Sequence, residues 1–264
     1  MKTNLKKYVD NFDPISEVKI FSELECYSIA RRLMYRRKEW ENRSPKGDFF
    51  MSYGALTYLD AERGTNVNAA SKYHGESEFT SNIYENKSNY FNKKLILDFY
   101  WVYDKIWNYY QAKFNKPVVF KKALPGFHIF QSPKQLNHKS VRNLATIHVD
   151  LPQEAHKWDG SVLAASTFTI AIELPKCTAG LNIWRDDSIF KNINTVFYDN
   201  MSKEDQIKTT ETAEYFPYKL GYIYEQNGML RHQITHRGDV LENERRITLQ
   251  GHLVETEKEI IIYV

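Results

Sequence analysis

The second half of this chain reads as a series of short strands, and that pattern limits its fold more than any other feature. Apolar or alternating runs recur from Val118 to Val264, separated by turn signals such as Pro125-Gly126 and Asp159-Gly160. The predicted strands cover residues 118–121, 127–131, 145–150, 168–174, 181–185, 219–224, 229–235, 246–254 and 259–264. Many short strands joined by glycine-containing turns favour a sandwich or a barrel.

Two connections in this series have distinct compositions. Gln226-Asn227-Gly228 separates two alternating runs, and an Asn-Gly pair in that setting predicts a β-hairpin. Residues 186–213 are polar and charged, and they interrupt the strand series. We expect them to form an insertion, or lid, over one mouth of the barrel, with a short helix near residues 202–208, because long loops in compact domains are often functional.

The first 116 residues are predicted to be mostly helical. Apolar residues recur at helical spacing over residues 20–43 and again over about 88–114, whereas residues 49–59 resemble a strand and 64–87 a long loop. A chain of 264 residues is at the upper edge of one domain. The expected organisation is a single domain over residues 1–264, in which 1–116 support a mainly β core at 117–264.

Charge and apolar content exclude several classes of function. The net charge is only +3 and the pI is about 8.6, without the clustered basic stripe of a nucleic-acid-binding protein. The most apolar stretch, residues 162–174, is interrupted by polar residues and is too short to span a membrane. Two cysteines far apart in sequence, with no visible signal peptide, predict a cytoplasmic protein without a disulfide framework.

Two histidines and one aspartate are the candidate metal ligands. His148 and Asp150 are two residues apart at the end of a predicted strand, so both side chains point to one face. His232 shares the face of Leu230 and Ile234 on a later strand, which directs its imidazole into the interior. Each element alone is weak, since His-x-Asp occurs by chance and a buried histidine is usually structural. Together they form the two-His, one-carboxylate set favoured by non-haem Fe(II) oxygenases.

A buried arginine is predicted on the strand that follows. Arg246, Thr248 and Gln250 share one face of residues 246–254, while the apolar residues between them share the other. An arginine directed into an apolar interior needs an anionic partner, because an unpaired buried guanidinium is costly. Its planar fork beside a hydroxyl suits a carboxylate ligand. An internal salt bridge, for example to Glu173, is the alternative.

The order of these residues resembles the Fe(II)/2-oxoglutarate-dependent oxygenase superfamily. His148-x-Asp150, then His232, then Arg246-x-Thr248 fourteen residues later, is similar to that family's pattern of His-x-Asp, a distal His and Arg-x-Ser/Thr. The resemblance implies that the two histidines and the aspartate bind Fe(II). It also implies that Arg246 holds the distal carboxylate of 2-oxoglutarate, with Thr248 as a second donor, and that O2 is the other co-substrate.

The residues around these motifs are also similar to the family. Ile-Glu-Leu-Pro at residues 172–175 is followed by Ala-Gly-Leu at 179–181, similar to the family's strand–Pro–Gly–Leu connection in mid-barrel. The resemblance covers about residues 117–264, and the N-terminal 116 residues match no subfamily that we can name. It implies a mainly β fold with supporting α: a double-stranded β-helix, or jelly roll, buttressed by N-terminal helices.

The resemblance further implies oxidation of a substrate C–H bond. Relatives that halogenate carry a small residue where this chain has Asp150, so hydroxylation, desaturation or cyclisation is expected. The expected substrate is a small molecule, such as an amino acid or a natural-product intermediate, with a peptide or protein side chain as the alternative. A monomer or homodimer is expected. The rival functions are a cupin-type metal enzyme that does not use 2-oxoglutarate and a non-catalytic β-sandwich binding module.

The residues that line the cavity are less well specified by sequence. Residues 127–131 alternate between two faces, one of which should line it, and Trp184 and Arg185 are further candidates. A tryptophan is more often a core residue, so the core is the favoured alternative for Trp184. None of the other histidines is assigned to the metal. His252, in phase with Arg246 on its strand, would be the first exception.

Overall fold

The computed structural model describes residues 15–43, 50–60, 82–131, 147–150, 153, 156–185, 195–196, 201–227, 230–237 and 241–264. The helices in these ranges are α1 (Glu23–Tyr35), α2 (Thr57–Asp60), α3 (Asn82–Lys113) and α4 (Lys203–Thr212), with a 3-10 turn at Arg37–Glu39. The strands before residue 160 are β1 (Ile15–Lys19), β2 (Glu41–Asn42), β3 (Phe50–Tyr53), β4 (Val118–Phe120), β5 (Gly126–Gln131) and β6 (Ile147–His148). The later strands are β7 (Ala164–Glu173), β8 (Thr178–Trp184), β9 (Thr195–Val196), β10 (Glu214–Pro217), β11 (Tyr222–Asn227), β12 (Arg231–Arg237), β13 (Arg245–Glu255) and β14 (Ile260–Tyr263).

The strands form two largely antiparallel sheets. The larger sheet has the order β1-β11-β7-β13-β5-β3-β2, with β14 beside β13 and β4 beside β14, and the smaller has the order β10-β8-β12-β6-β9. Successive strands from β5 to β8, and again from β10 to β13, alternate between the two sheets. The fold is therefore mainly β, and the alternation is consistent with the expected jelly roll.

One face of the larger sheet packs against helices α1 and α3. Ile247 and Leu249 of β13, and Phe127 and Ile129 of β5, belong to a buried apolar cluster that includes residues of both helices. Because side chains alternate along a strand, the residues between these four face the other way, towards the smaller sheet. The interior between the sheets is thus lined by the second face of the same strands.

A local capping motif starts helix α1, and ion pairs join this helix to α3. A capping box starts α1: the Ser22 hydroxyl accepts from the backbone N–H of Glu25 at 3.3 Å, and the Glu25 carboxylate accepts from that of Ser22 at 2.8 Å. The buried face of α1 consists of Cys26, Ile29, Ala30 and Leu33. Asp98 of α3 accepts hydrogen bonds from Arg32 of α1 and from Arg36, the residue that follows this helix, which fixes the two helices together.

The predicted elements exist, but several boundaries differ. The helix expected over residues 20–43 ends at Tyr35, and β2 occupies part of its predicted length. The strand expected over 49–59 is split into β3 and the short helix α2, and α3 already begins inside the loop expected over 64–87. Residues 64–81 of that loop lie outside the described residues. Each predicted strand after Pro117 overlaps an observed one, whereas β1, β2, β9 and β10 were not predicted.

The predicted hairpin at Gln226-Asn227-Gly228 is wrong. Strand β11 pairs with β1 and β7 in the larger sheet, and β12 pairs with β6 and β8 in the smaller one. The connection therefore crosses between the sheets. An Asn-Gly signal reports that the chain reverses, but whether the flanking strands pair depends on contacts with distant strands.

Part of the predicted insertion is described. Strand β9 pairs with β6 in the smaller sheet, and α4 is the short helix expected near residues 202–208, extended to Thr212. The role of this segment as a lid is still a prediction. No helix in the described ranges is long and apolar enough to cross a membrane.

Candidate metal centre

The register of the smaller sheet places His148 and His232 side by side. His148 of β6 is directly opposite His232 of β12. Opposite residues of antiparallel strands share a face, with Cβ atoms about 5 Å apart. The two imidazole rings accordingly lie with centroids 4.4 Å apart.

Asp150 completes a compact group of three. Its Oδ1 is 3.5 Å from Nε2 of His148, and its Oδ2 is 3.5 Å from Nε2 of His232. One ligand atom from each residue lies within 4.8 Å of the other two. The His148 and Asp150 side chains are 18% and 17% exposed, so the group is accessible from one side. The structure brings together the three residues predicted as metal ligands.

The protonation states of His232 and Asp150 suit metal binding. Nδ1 of His232 lies 2.8 Å from the carbonyl oxygen of Leu230, so it donates its proton there and leaves the Nε2 lone pair facing Asp150. Burial lowers the pKa of His232 to about 4. Burial opposes ionisation of Asp150, but the interactions with His232 and His148 outweigh it and hold its pKa well below the ordinary value. Neutral imidazoles and an ionised carboxylate are the ligand forms that metals require.

Gln226 reaches the triad from the opposite sheet. Its amide nitrogen lies 3.1 Å from Nδ1 and 3.2 Å from Nε2 of His232. The residue is on β11 of the larger sheet and is 8% exposed, so its side chain spans the interior. Sequence reasoning missed this contact because it treated Gln226 as part of a hairpin turn. The alternation with Tyr224 and Tyr222 was the signal that could have placed it inside.

Arg246 is completely buried, and no anion pairs with it in the part of the chain that the structure describes. It is 0% exposed, and none of its guanidinium nitrogens has a hydrogen-bond partner among the described residues. Its guanidinium carbon lies 5.4 Å from the ring centroid of Phe130 and 5.1 Å from that of Tyr218. Burial lowers the pKa of Arg246, although Tyr218 and Tyr215 partly offset this. Two aromatic rings stabilise a cation by about 1–2 kcal/mol each, less than the cost of burying it.

Thr248, two residues after Arg246 on the same face of β13, is also a buried polar residue. It is 0% exposed, and its hydroxyl has no partner among the described residues. Across the sheet it is in register with His128 of β5, whose imidazole pKa is lowered to about 3 by burial and by Arg246. The alternative salt bridge from Arg246 to Glu173 is wrong, because Glu173 pairs with Arg245 at 2.9 Å.

The other residues predicted to line the cavity fall into two groups, one that faces the interior and one that faces away from it. On β5, Phe130 faces the interior with His128, while Phe127 and Ile129 face the helices. Ile183 is opposite His232 in register, so the next residue, Trp184, points to the other face, where its indole donates to the Thr209 carbonyl.

Two further candidates have other partners. Arg185 pairs with Glu214 at the surface, so the prediction that it lines the cavity is wrong. Trp184 is a core residue, which was the favoured alternative for it. His252 is buried in the interior, with Nδ1 3.0 Å from the Thr167 hydroxyl, and is not one of the three clustered ligands.

The residues present fit Fe(II) and 2-oxoglutarate. Two imidazole nitrogens and one carboxylate oxygen that lie within 4.8 Å of one another are the donor set of non-haem Fe(II) sites. The unpartnered Arg246 and Thr248 offer the donors that a buried carboxylate requires.

Comparison with known proteins supports the fold. No protein-family model and no curated protein sequence matches the chain. The structure is similar to that of an N-substituted L-amino acid dioxygenase from Burkholderia ambifaria AMMD, with a TM-score of 0.50, 12% identity, and coverage of 95% of this chain and 86% of that one. HygX from Streptomyces hygroscopicus, solved with nickel and 2-oxoglutarate bound, gives a TM-score of 0.44 at 12% identity over 90% of this chain and 82% of that one. The likeness to the Burkholderia protein shows a shared fold.

Proposed function

We propose that this chain is an Fe(II)- and 2-oxoglutarate-dependent oxygenase with a double-stranded β-helix core. The observation that carries the proposal is the completely buried Arg246, which has no hydrogen-bond partner among the described residues. Its guanidinium carbon lies 5.1 Å from the ring centroid of Tyr218, which packs in one apolar cluster with Ile183 and Ile234 of the smaller sheet, so Arg246 shares an interior with the triad. A buried cation beside a hydroxyl needs a carboxylate ligand. A cupin-type enzyme that does not use 2-oxoglutarate would not need this carboxylate anchor.

Each site residue has a distinct role in this proposal. His148, Asp150 and His232 hold the metal, and the bond from His232 to the Leu230 carbonyl keeps its ring in the ligating tautomer. Arg246 and Thr248 hold the distal carboxylate of 2-oxoglutarate. When bound, Fe(II) with 2-oxoglutarate and O2 supplies the oxidising power for a substrate C–H bond. The buried walls around the triad exclude water and orient the substrate.

The proposed substrate is a small molecule, such as an amino acid derivative or a natural-product intermediate. The Burkholderia enzyme, whose fold this chain shares, is a dioxygenase of N-substituted L-amino acids. Hydroxylation, desaturation or cyclisation of the substrate is proposed, since Asp150 occupies the third ligand position.

Anaerobic titration of the apoprotein tests the proposal. A weak visible metal-to-ligand charge-transfer band is expected only when Fe(II) and 2-oxoglutarate are both present. Arg246→Met should weaken 2-oxoglutarate binding at least about thirtyfold, because truncating one partner of a buried charge pair costs roughly 2–5 kcal/mol. Arg245→Met is the matched control, since that neighbour pairs with Glu173 and should leave the titration unchanged.

Two results would contradict the proposal. Fe(II) binding without a 2-oxoglutarate-dependent band would favour the cupin-type alternative. Absence of Fe(II) binding, together with no succinate formed from 2-oxoglutarate across a metabolite panel, would favour a non-catalytic module.

A further inference from the structure

A row of polar side chains crosses the larger sheet opposite the triad. Gln226 of β11 is in register with Thr167 of β7, Thr167 with His252 of β13, and His252 with Tyr263 of β14. Residues directly opposite each other share a face, so these four side chains form one transverse row on the inner surface. We call Gln226, Thr167, His252 and Tyr263 the polar row. Four adjacent strands span about 14 Å, the length of a small molecule.

Contacts and electrostatics place the polar row against the metal side of the interior. The Gln226 amide touches the His232 ring at 3.1 Å. The negative charge of Asp150 raises the pKa of both His252 and Tyr263. Arg246 lies six residues before His252 on β13, about 20 Å along the strand, so the row faces the triad at a distance from the proposed 2-oxoglutarate anchor.

The polar row has unused hydrogen-bonding atoms. The Thr167 hydroxyl occupies Nδ1 of His252 at 3.0 Å, which leaves Nε2 for another partner. The Tyr263 hydroxyl is buried and has no partner among the described residues. Its ring packs against His252, with centroids 5.5 Å apart, and against Trp158 at 4.9 Å. These aromatic contacts hold both side chains in place.

None of the four side chains carries a charge near pH 7. Burial lowers the pKa of the His252 imidazole to about 4, and it raises the pKa of the Tyr263 phenol well above its ordinary value. In the loaded enzyme the Asp150 carboxylate would be engaged by the metal, so a substrate carboxylate or ammonium seated here would lose its water without gaining a counter-ion, which is strongly unfavourable. An uncharged amide, carbonyl or hydroxyl would regain its hydrogen bonds.

We propose that the polar row is the substrate-binding wall, and that His252 Nε2 and the Tyr263 hydroxyl bind an uncharged hydrogen-bonding group of the substrate. This inference rests on the proposed function and specifies its substrate class. Any charged group of the substrate is bound elsewhere.

Paramagnetic relaxation of small probes tests this inference. The enzyme is loaded with Mn(II) and 2-oxoglutarate, and the relaxation of ring protons is measured for benzamide, benzoate and benzylamine, which share a ring and differ in charge. We expect benzamide to bind near the metal at least about tenfold more tightly than the two charged probes, because they would be desolvated without a partner.

Two variants and a matched control locate the binding group. Tyr263→Phe and His252→Asn should each weaken benzamide binding about threefold to tenfold, the effect of one neutral hydrogen bond. Asparagine retains an atom near the position of Nδ1 for Thr167 but lacks the atom at Nε2. Tyr110→Phe is the control, because the Tyr110 hydroxyl is also buried and unpartnered among the described residues but lies in the helix-facing cluster.

The outcomes separate this inference from the proposed function. If the wild type does not bind Mn(II) and 2-oxoglutarate together, the proposed function fails and this inference fails with it. If both bind but benzamide shows no preference over the charged probes, or if the Tyr263 and His252 variants match the Tyr110 control, the inference about the polar row alone is overturned.

Discussion

Replacing Arg246 by methionine should make the apoprotein more stable. The guanidinium is 0% exposed, and none of its nitrogens has a hydrogen-bond partner among the described residues. Replacing buried charged groups by apolar residues of similar volume stabilises proteins by about 1–4 kcal/mol in favourable cases. The ring contacts with Phe130 and Tyr218 oppose this gain, so we expect an increase of about 1–2 kcal/mol in the free energy of unfolding.

Bound 2-oxoglutarate should reverse the order of stability. With metal present and 2-oxoglutarate at 100 times its dissociation constant for wild type, wild type gains about 2.7 kcal/mol, whereas Arg246→Met, which binds at least about thirtyfold more weakly, gains at most about 0.9 kcal/mol. Urea denaturation of both proteins, with and without Mn(II) and 2-oxoglutarate, measures this crossover. Arg245→Met serves as the control. Its ion pair with Glu173 is partly exposed, so its loss should cost about 0–1 kcal/mol under both conditions.

One result would refute the reasoning. If Arg246→Met destabilises the apoprotein by more than about 1 kcal/mol, the guanidinium is stabilised within the protein itself, and an external carboxylate is not needed to explain it.

Three other perturbations have defined outcomes. Asp150→Asn should abolish stoichiometric Fe(II) binding, measured by anaerobic metal analysis, because the ionised carboxylate is lost; retained metal would remove Asp150 from the site. The pKa of His252 is lowered by burial to about 4, so the unfolded chain binds more protons than the folded protein between about pH 6.5 and 4, and stability falls as pH drops through this window. Denaturation of the apoprotein at pH 7 and pH 5 should show a loss smaller by about 2 kcal/mol in His252→Asn than in wild type, and equal losses would contradict the neutral imidazole. Gly221→Ala should destabilise by about 2 kcal/mol or more, since Gly221 has φ +79° and an added Cβ would lie 2.1 Å from the Phe21 carbonyl oxygen; an unchanged melting temperature would count against this backbone geometry.

Strand periodicity explains why much of the site was predictable. On β13 the alternation of polar and apolar residues predicts that Arg246 and Thr248 share a face. Both are buried with no partner in the described part of the chain, while Ile247 packs towards the helices. The same two-residue period explains why the His148 and Asp150 side chains lie close together. These are local properties, because neighbouring side chains on any strand point to opposite faces.

Predictions from local sequence failed where pairing with distant strands determined the structure. The Asn227-Gly228 turn predicts a hairpin, yet β11 and β12 pair in different sheets. Glu173, the example partner for Arg246 in the alternative interpretation, pairs with Arg245 instead, because the nearest charge to Glu173 depends on the register between β7 and β13, which shifts at Ile247.

The sequence by itself therefore determined which residue types line the interior, namely a ligand set of the iron-binding type and an inward arginine. It also determined the strands that carry them. Only the tertiary structure decided that His148 is opposite His232, that Arg246 has no carboxylate beside it among the described residues, and that Gln226, Thr167, His252 and Tyr263 form one row. The physical reason is that the side-chain face follows from backbone geometry within a single strand. The partner across the sheet follows from strand register, which is set by packing among segments far apart in the chain.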